Sequence, residues 1–426
     1  MSEFLSLLGG IAAALVLAFV YITLAANAEA NHQDRVMSVP PIGPDLAPFL
    51  RALQGAAGGG VITGNTADVY QNGDEIFPPM LRAIRESKST IHFSTYVYWK
   101  GVVCQDFAAA LSDAARRGVM VRLVLDSEGT ERMPRELVEQ MVTAGCKVTW
   151  FRRAQWYDWM KYNHRSHRRL LIVDGQVGFT GGVGIADEWT GNAQDSLHWR
   201  DTHVRLTGPI VASLQAAFTD NWNQSTEELL LNARDFPALA PTGDVPVCPV
   251  LSTPANGASA AQRTMAALIA GSTRTLYISN AYFVPAPAFI DALCAAVDRG
   301  VDVRILVPGP YHDEKVVQRA SRHTWPGLVG RGVALYEYQP TMMHAKTVVA
   351  DGELFLAGSI NFDPRSFALN SEFGVVLVSR ELAAAQVKAF ETDLARSIRV
   401  TPETIASLGA LNRAVDAMAY WARAQL

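Results

Sequence analysis

One pattern occurs twice in this chain, about 180 residues apart, and no other feature restricts the fold as much. The second copy reads His344-Ala345-Lys346, then Asp351, then Gly358-Ser359-Ile360-Asn361. The first reads His167-Arg168-Arg169, then Asp174, then Gly181-Gly182-Val183-Gly184. In both, a cation follows the His by two residues, an Asp follows it by seven, and a pair of small residues follows the Asp by seven. One such short motif carries a high false-positive risk. Two copies at matching places in a repeat do not arise from composition.

The flanking segments repeat too. Ser89–Trp99 reads as a strand, Asp106–Arg117 as a helix stopped by Gly118, and Val119–Leu125 as a buried strand. Arg274–Phe283, Ala288–Arg299, Gly300 and Val301–Val307 follow the same order. Strand–helix–strand order implies right-handed crossovers, hence an α/β fold with mixed, largely parallel sheets. The 426 residues accommodate two such domains. They are read over 61–235 and 259–400, with linkers at 28–60 and 236–258, the latter rich in Pro, Gly and Ala. Over 401–426 a C-terminal helix is expected. Its Ile405, Leu408, Leu411, Val415 and Met418 recur at helical spacing, which predicts packing on the second domain.

Phe4 to Ala26 contains no charged residue and is long enough to span a bilayer as a helix. Met1-Ser2-Glu3 lacks the Lys or Arg of a signal peptide. Residues 1–27 are therefore read as a retained single-pass anchor in the cell membrane. Arg35 is the basic residue nearest the run and favours a cytoplasmic location for the domains on its C-terminal side. Net charge is −4 and the pI about 6.2, which argues against a generally basic nucleic-acid-binding surface. The four cysteines are scattered without a CxxC pair, which argues against a zinc site and a disulfide framework. No cofactor and no metal are expected.

The cassettes suit phosphoryl chemistry. Each runs into an apolar stretch, so the His and the cation two residues on sit on one face of a strand. One imidazole is suited to attack phosphorus and the other to protonate the leaving alcohol. Two cations neutralise charge on the phosphoryl oxygens. The small residues of the following turn, Gly182 and Ser359 with Asn361, let a ligand approach and are read as substrate-binding.

On these motifs the chain resembles the phospholipase D superfamily, and within it the bacterial cardiolipin synthases. The stretches Asn280-Ala281-Tyr282-Phe283-Val284-Pro285, Met343–Thr347, Gly358–Ser366 and Trp199–Val204 carry the likeness, which covers about residues 60–400. The resemblance implies two tandem phospholipase D-like domains and a phosphatidyl-histidine intermediate. His167 is then the nucleophile and His344 the general acid and base, beside Arg169 and Lys346. Asp174 and Asp351 complete the catalytic motif, although their place at a strand end points to a structural role. Asp201 and Glu372 stand before apolar strands, and the likeness suggests that each orients the His of its own half. Two departures are Arg169, where Lys is usual, and Gly184, where Asn is usual. The implied reaction makes cardiolipin from phosphatidylglycerol at the membrane. The alternatives are hydrolysis by water, a phosphodiesterase acting on nucleic acid, and an inert lipid-binding relative. Residues 150–169, with six aromatics and six Lys or Arg, fit either a headgroup-collecting loop or an ordinary covering loop. Aromatic and basic residues also hold single strands, so this segment is the best support for the nucleic-acid alternative. The acidic pI and the anchor favour lipid.

Overall fold

The computed structural model of the chain describes residues 38–152, 163–254 and 258–425, with isolated helical positions between Gly10 and Thr23. Apart from those positions, the apolar N-terminal run lies outside the described residues, as do 153–162 of the aromatic and basic segment. Among the described residues, no helix is long and apolar enough to cross a membrane.

The first half supplies β1 (Ile62–Gln71), β2 (Thr90–Thr95), β3 (Met120–Asp126), β4 (Lys147–Phe151), β5 (Leu170–Val173), β6 (Val177–Gly181) and β7 (Thr202–Thr207). The second supplies β8 (Val245–Ser252), β9 (Thr275–Asn280), β10 (Asp302–Pro308), β11 (Ala334–Tyr338), β12 (Lys346–Ala350), β13 (Leu354–Gly358) and β14 (Glu372–Val378). With β15 (Ser397–Arg399) they form one sheet, in the order β15-β11-β10-β9-β12-β13-β14-β8-β1-β7-β6-β5-β2-β3-β4. Apart from the extra edge strand β15, the order is the same read outward from either side of the antiparallel β1–β8 pair, so a pseudo-twofold axis passes between them. The crossover helices Val102–Arg116 and Pro287–Asp298 end at Gly118 (φ 90°) and Gly300 (φ 89°), which hold the left-handed position that stops a helix.

Three expectations need correction. The sheet is mixed, as expected, but it is not largely parallel. Among the described residues, parallel pairing is confined to β2–β3–β4 and β9–β10–β11. Each cassette instead folds as the antiparallel run β5–β6–β7 or β12–β13–β14. The turns after β5 and β12 are too short for a parallel crossover. In them Asp174 and Asp351 (both φ 54°) precede Gly175 (φ 62°) and Gly352 (φ 66°), all in the left-handed region.

Both stretches read as linkers contain regular structure. Within 236–258, Val245–Ser252 is β8, which pairs with β14 and joins the halves at β1. Within 28–60, the helix Ala47–Ala57 buries Phe49, Leu53 and Ala57 in the second half's core, with Met265 and Leu268. Phe49 lies so close to Gly271 that an added Cβ there would sit 2.3 Å from its ring. A further core cluster draws Leu170, Val204 and Leu206 from one half together with Phe355, Phe373 and Val375 from the other.

The C-terminal segment forms two helices, Pro402–Ala406 and Ala410–Trp421, and the second packs by an unexpected face. Its buried side carries Asp416, whose Oδ1 accepts hydrogen bonds from Arg319 and Arg322, each at 3.2 Å. Leu411 and Met418 face solvent at 79 % and 72 % exposure. Two ion pairs and Ala419 fix the helix and leave Leu411 and Met418 outside, whereas Ile405 packs against the second half's core as expected.

Candidate active site

The functional side chains meet at the pseudo-twofold axis because the two cassettes are stitched to each other. His167 N–H donates to Ser371 O at 3.0 Å, and Ser371 N–H donates to Arg165 O at 2.9 Å. Related by the symmetry, His344 N–H donates to Arg200 O at 2.7 Å, and Arg200 N–H donates to Met342 O at 2.9 Å. These bridges place each His beside the carboxylate of the opposite half.

The orienting pairs are therefore crossed. His167 Nδ1 lies 2.9 Å from Glu372 Oε1, and His344 Nδ1 lies 2.7 Å from Asp201 Oδ2. This overturns the own-half pairing expected from the sequence. A proton held on Nδ1 by the carboxylate leaves the Nε2 lone pair for chemistry. In the first half that lone pair accepts from Arg169 Nη1 at 2.8 Å; in the second, Lys346 Nζ donates to His344 O at 2.5 Å and lies beside the ring, 3.1 Å from Nε2 and 3.0 Å from Nδ1. A bound phosphoryl group would draw both cations to its oxygens and release both lone pairs.

The carboxylates are buried and differently supported. Ser359 Oγ donates to Glu372 Oε2, and Ser366 Oγ donates to Oε1 at 2.8 Å. Asp201 accepts from Trp189 Nε1 at 2.9 Å and from Thr202 N–H at 2.8 Å. Gly182 occupies the place of Ser359, where a Cβ would lie 2.1 Å from Asp201 Oδ1. Gly182 and Ser359, read as substrate-binding, lie against the carboxylates and do not line the cleft. Asn361 does line the cleft, and its Oδ1 is buried without a partner. At the matching Gly184 a Cβ would lie 2.7 Å from Val97 and 3.1 Å from Trp189. An aromatic and aliphatic wall has taken the Asn's space.

Electrostatics keep the histidines neutral. Burial, then Lys346, pushes His344 down to about 3. Burial, then Arg169 and Lys346, holds His167 well below the usual imidazole range. Burial raises Glu372 to about 7 and lowers Lys346 to about 7. For Asp201, burial acts upward, but His344 and Lys346 more than offset it and the carboxyl stays below its ordinary range.

Asp174 and Asp351 lie at the opposite strand ends from the histidines. Asp174 Oδ1 accepts the N–H groups of Ser89 at 2.6 Å and Thr90 at 3.0 Å. Asp351 Oδ1 accepts those of Arg274 at 2.7 Å and Thr275 at 2.8 Å. They fasten each hairpin to the start of β2 or β9 and take no part in the cleft. Asp174→Ala is expected to lower stability by about 2–4 kcal/mol through lost charge-assisted bonds and a left-handed non-Gly residue. The kcat per folded molecule should be unchanged. Denaturation midpoints and active-site titration check both parts.

The cleft above the histidines has a volume of about 940 Å³, enough for a headgroup and its phosphate. Tyr96 meets His167 edge-on at 5.4 Å, and Tyr282 meets His344 at 6.5 Å. The sequence alone does not single out Trp189, Ser366, Tyr96 or Tyr282 as site residues. Only Trp189 and Ser366, close behind the Gly and Ser turns, carry a positional signal. Of the basic segment, Arg165 and Arg168 are fully buried. Arg165 sits 3.5 Å from Asp126, and Arg168 donates to Asp220 at 2.8 Å, so neither faces a membrane. Among the described residues, no group of three or more His, Cys, Asp or Glu is placed to hold a metal ion.

Comparison with known families agrees with this geometry. The family model described as "Cardiolipin synthase, PLD-like domain" matches residues 80–222 and 265–394, one stretch for each cassette. The chain belongs to this family. Cardiolipin synthase A of Pseudomonas fluorescens is 32 % identical over 346 residues, covering 80 % of this chain and 71 % of its own. Cardiolipin synthase of Geobacillus kaustophilus is 31 % identical over 357 residues, covering 83 % and 71 %. Among solved structures, phosphatidylserine synthase of Haemophilus influenzae superposes with a TM-score of 0.64 at 13 % identity. That match covers 89 % of this chain and all of the other, and it supports the fold. The crossed His–carboxylate pairs are thus features of a cardiolipin synthase family member whose two phospholipase D-like repeats share one continuous sheet.

Proposed function

We propose that the protein is a phosphatidyltransferase that makes cardiolipin from two molecules of phosphatidylglycerol. The observation that carries this reading is the pair of neutral imidazoles at one cleft, each with Nδ1 on a buried carboxylate and Nε2 beside a cation. His167 Nε2 attacks phosphorus, the P–O bond to glycerol breaks, and His344, which has taken a proton from water on Nε2 as substrate binds, gives that proton to the departing glycerol oxygen. The hydroxyl of a second phosphatidylglycerol then enters. His344 takes its proton, the oxygen bonds to phosphorus, and the P–N bond to His167 breaks. Burial is the larger cause of the low His344 pKa, but the substrate phosphate offsets the second cause, the Lys346 charge, and so favours the acid form. Asn361 is assigned to the phosphoryl oxygens through its amide N–H. Incubating the protein in phosphatidylglycerol vesicles tests the reading. Cardiolipin and glycerol in equal amounts are expected; phosphatidic acid alone would make it a hydrolase.

The lipid is proposed to reach the cleft from a bilayer. The outward stripe of Leu411, Ala414 and Met418 leads into Arg423–Gln425, and Gln425 lines the cleft. Leu411→Glu with Met418→Glu should lower activity on phosphatidylglycerol vesicles by about tenfold and leave activity on detergent micelles unchanged, since burying each apolar side chain is worth roughly 1–2 kcal/mol. Equal activity on vesicles would remove the helix from membrane contact.

The pH dependence follows from two groups. Ionised Glu372 is needed to orient His167, and it is lost as pH falls through about 7. Charged Lys346 is lost as pH rises through about 7. The profile of kcat/KM is therefore a narrow bell centred near neutrality, with limbs that belong to the coupled site. Lys346→Arg, always charged, should flatten the alkaline limb and leave the acid limb in place.

A further inference from the structure

The two halves differ at one pair of positions beneath the active site. Arg169 immediately precedes β5, and Lys346 opens β12. Strand register sets His203 opposite Gly181 in the first half and Gly374 opposite Gly358 in the second. Where one half has Arg and His, the other has Lys and Gly.

Among the polar atoms of the described residues that are buried without partners, Nε of Arg169, Nδ1 of His203 and Oγ of Ser94 belong together. All three residues line one small space of about 10 Å³, just large enough for a single water. A buried water needs two to four polar partners. Here it would accept from Arg169 Nε–H, donate to His203 Nδ1 and bond the Ser94 hydroxyl. Arg169 alone lines both this space and the catalytic cleft. In the second half Lys346 directs its ammonium onto His344, and Gly374 leaves no side chain to satisfy.

We infer that His203, with Ser94, holds one buried water against Nε of Arg169 and thereby fixes the guanidinium for the phosphoryl group. His203 is a positioning residue, since it acts through Arg169 and does not line the cleft. Burial pushes its pKa down to about 3, so the ring is neutral, offers a lone pair and does not repel Arg169. The inference rests on the transferase reading and accounts for the first cassette's departure from Lys: a guanidinium has an Nε–H to anchor from below, and an ammonium on a simple stem has none.

A cycle of four proteins tests it. Arg169→Lys and His203→Gly should each lower kcat about tenfold with KM within about twofold, because the cation is kept but misplaced. The double variant copies the second half and should recover to within about threefold of wild type. His203→Gln, which keeps an acceptor, should retain at least about half of kcat, whereas His203→Leu should not. Independent losses that multiply to about a hundredfold, or His203→Gly with wild-type kcat, would overturn the inference. A crystal structure of the wild-type chain with no water between the three atoms would also overturn it, whatever the activity. Robust turnover by His167→Ala would instead strike the transferase reading and leave the water question intact.

Discussion

His167→Ala and His344→Ala should each lower kcat on phosphatidylglycerol by at least about 10⁴-fold, and the double variant should be no worse than the singles. The two imidazoles act on one phosphorus in sequence, one making the P–N bond and the other moving the alcohol's proton. Residues that work as a unit fail together. Neither neighbour can substitute, because Arg169 carries no lone pair, Lys346 is needed as a cation on the phosphoryl oxygens, and the carboxylates are committed to Nδ1. Steady-state rates in mixed micelles check this. Turnover by either single variant within tenfold of wild type would show two independent half-sites.

The crossed carboxylates should separate the two steps of the reaction. Glu372→Gln and Asp201→Asn should each reduce kcat by about 10³–10⁴-fold, the scale seen when an orienting carboxylate becomes an amide and the imidazole takes the wrong tautomer. The steps affected differ. Glu372 holds His167, so its loss blocks formation of the covalent intermediate. Asp201 holds His344, so its loss blocks proton transfer at the alcohol. A substrate whose leaving group needs no proton, such as a phosphatidyl p-nitrophenyl ester, distinguishes them. Asp201→Asn should release one equivalent of nitrophenolate in a burst and then stall, and Glu372→Gln should show no burst. The reverse pattern would restore own-half pairing and contradict the distances.

Much of this is legible in the residues. The cassettes, the two βαβ repeats and their glycine stops follow from spacing and periodicity, which are local signals. The crossing of the carboxylates is not legible. Asp201 and His344 are brought together by backbone bridges between segments far apart in sequence, and no spacing within one half reports such contacts. The strand Val245–Ser252 is hidden by Pro246 and Pro249, which read as linker, although it pairs β14 on one side and β1 on the other. Periodicity finds an apolar stripe on the C-terminal helix but not its direction. Tertiary pairing of Asp416 with Arg319 and Arg322 turns Leu411 and Met418 of that stripe to solvent. The antiparallel hairpins are signalled by Asp-Gly at 174–175 and 351–352, a turn dipeptide that the catalytic motif overlaps and so conceals.

The central claim is that one composite site passes the phosphatidyl group through His167 with His344 as its acid and base. Peptide mapping of His344→Ala after brief reaction with a phosphatidyl p-nitrophenyl ester tests it most directly. The P–O bond breaks as nitrophenolate leaves unprotonated, and the P–N bond forms without His344. Without that base the incoming alcohol is not activated, so the intermediate accumulates. The account predicts about one phosphatidyl group per chain, attached to His167 and absent from the His167→Ala, His344→Ala double variant. A modified residue other than His167, or a full wild-type rate with no adduct, would contradict it.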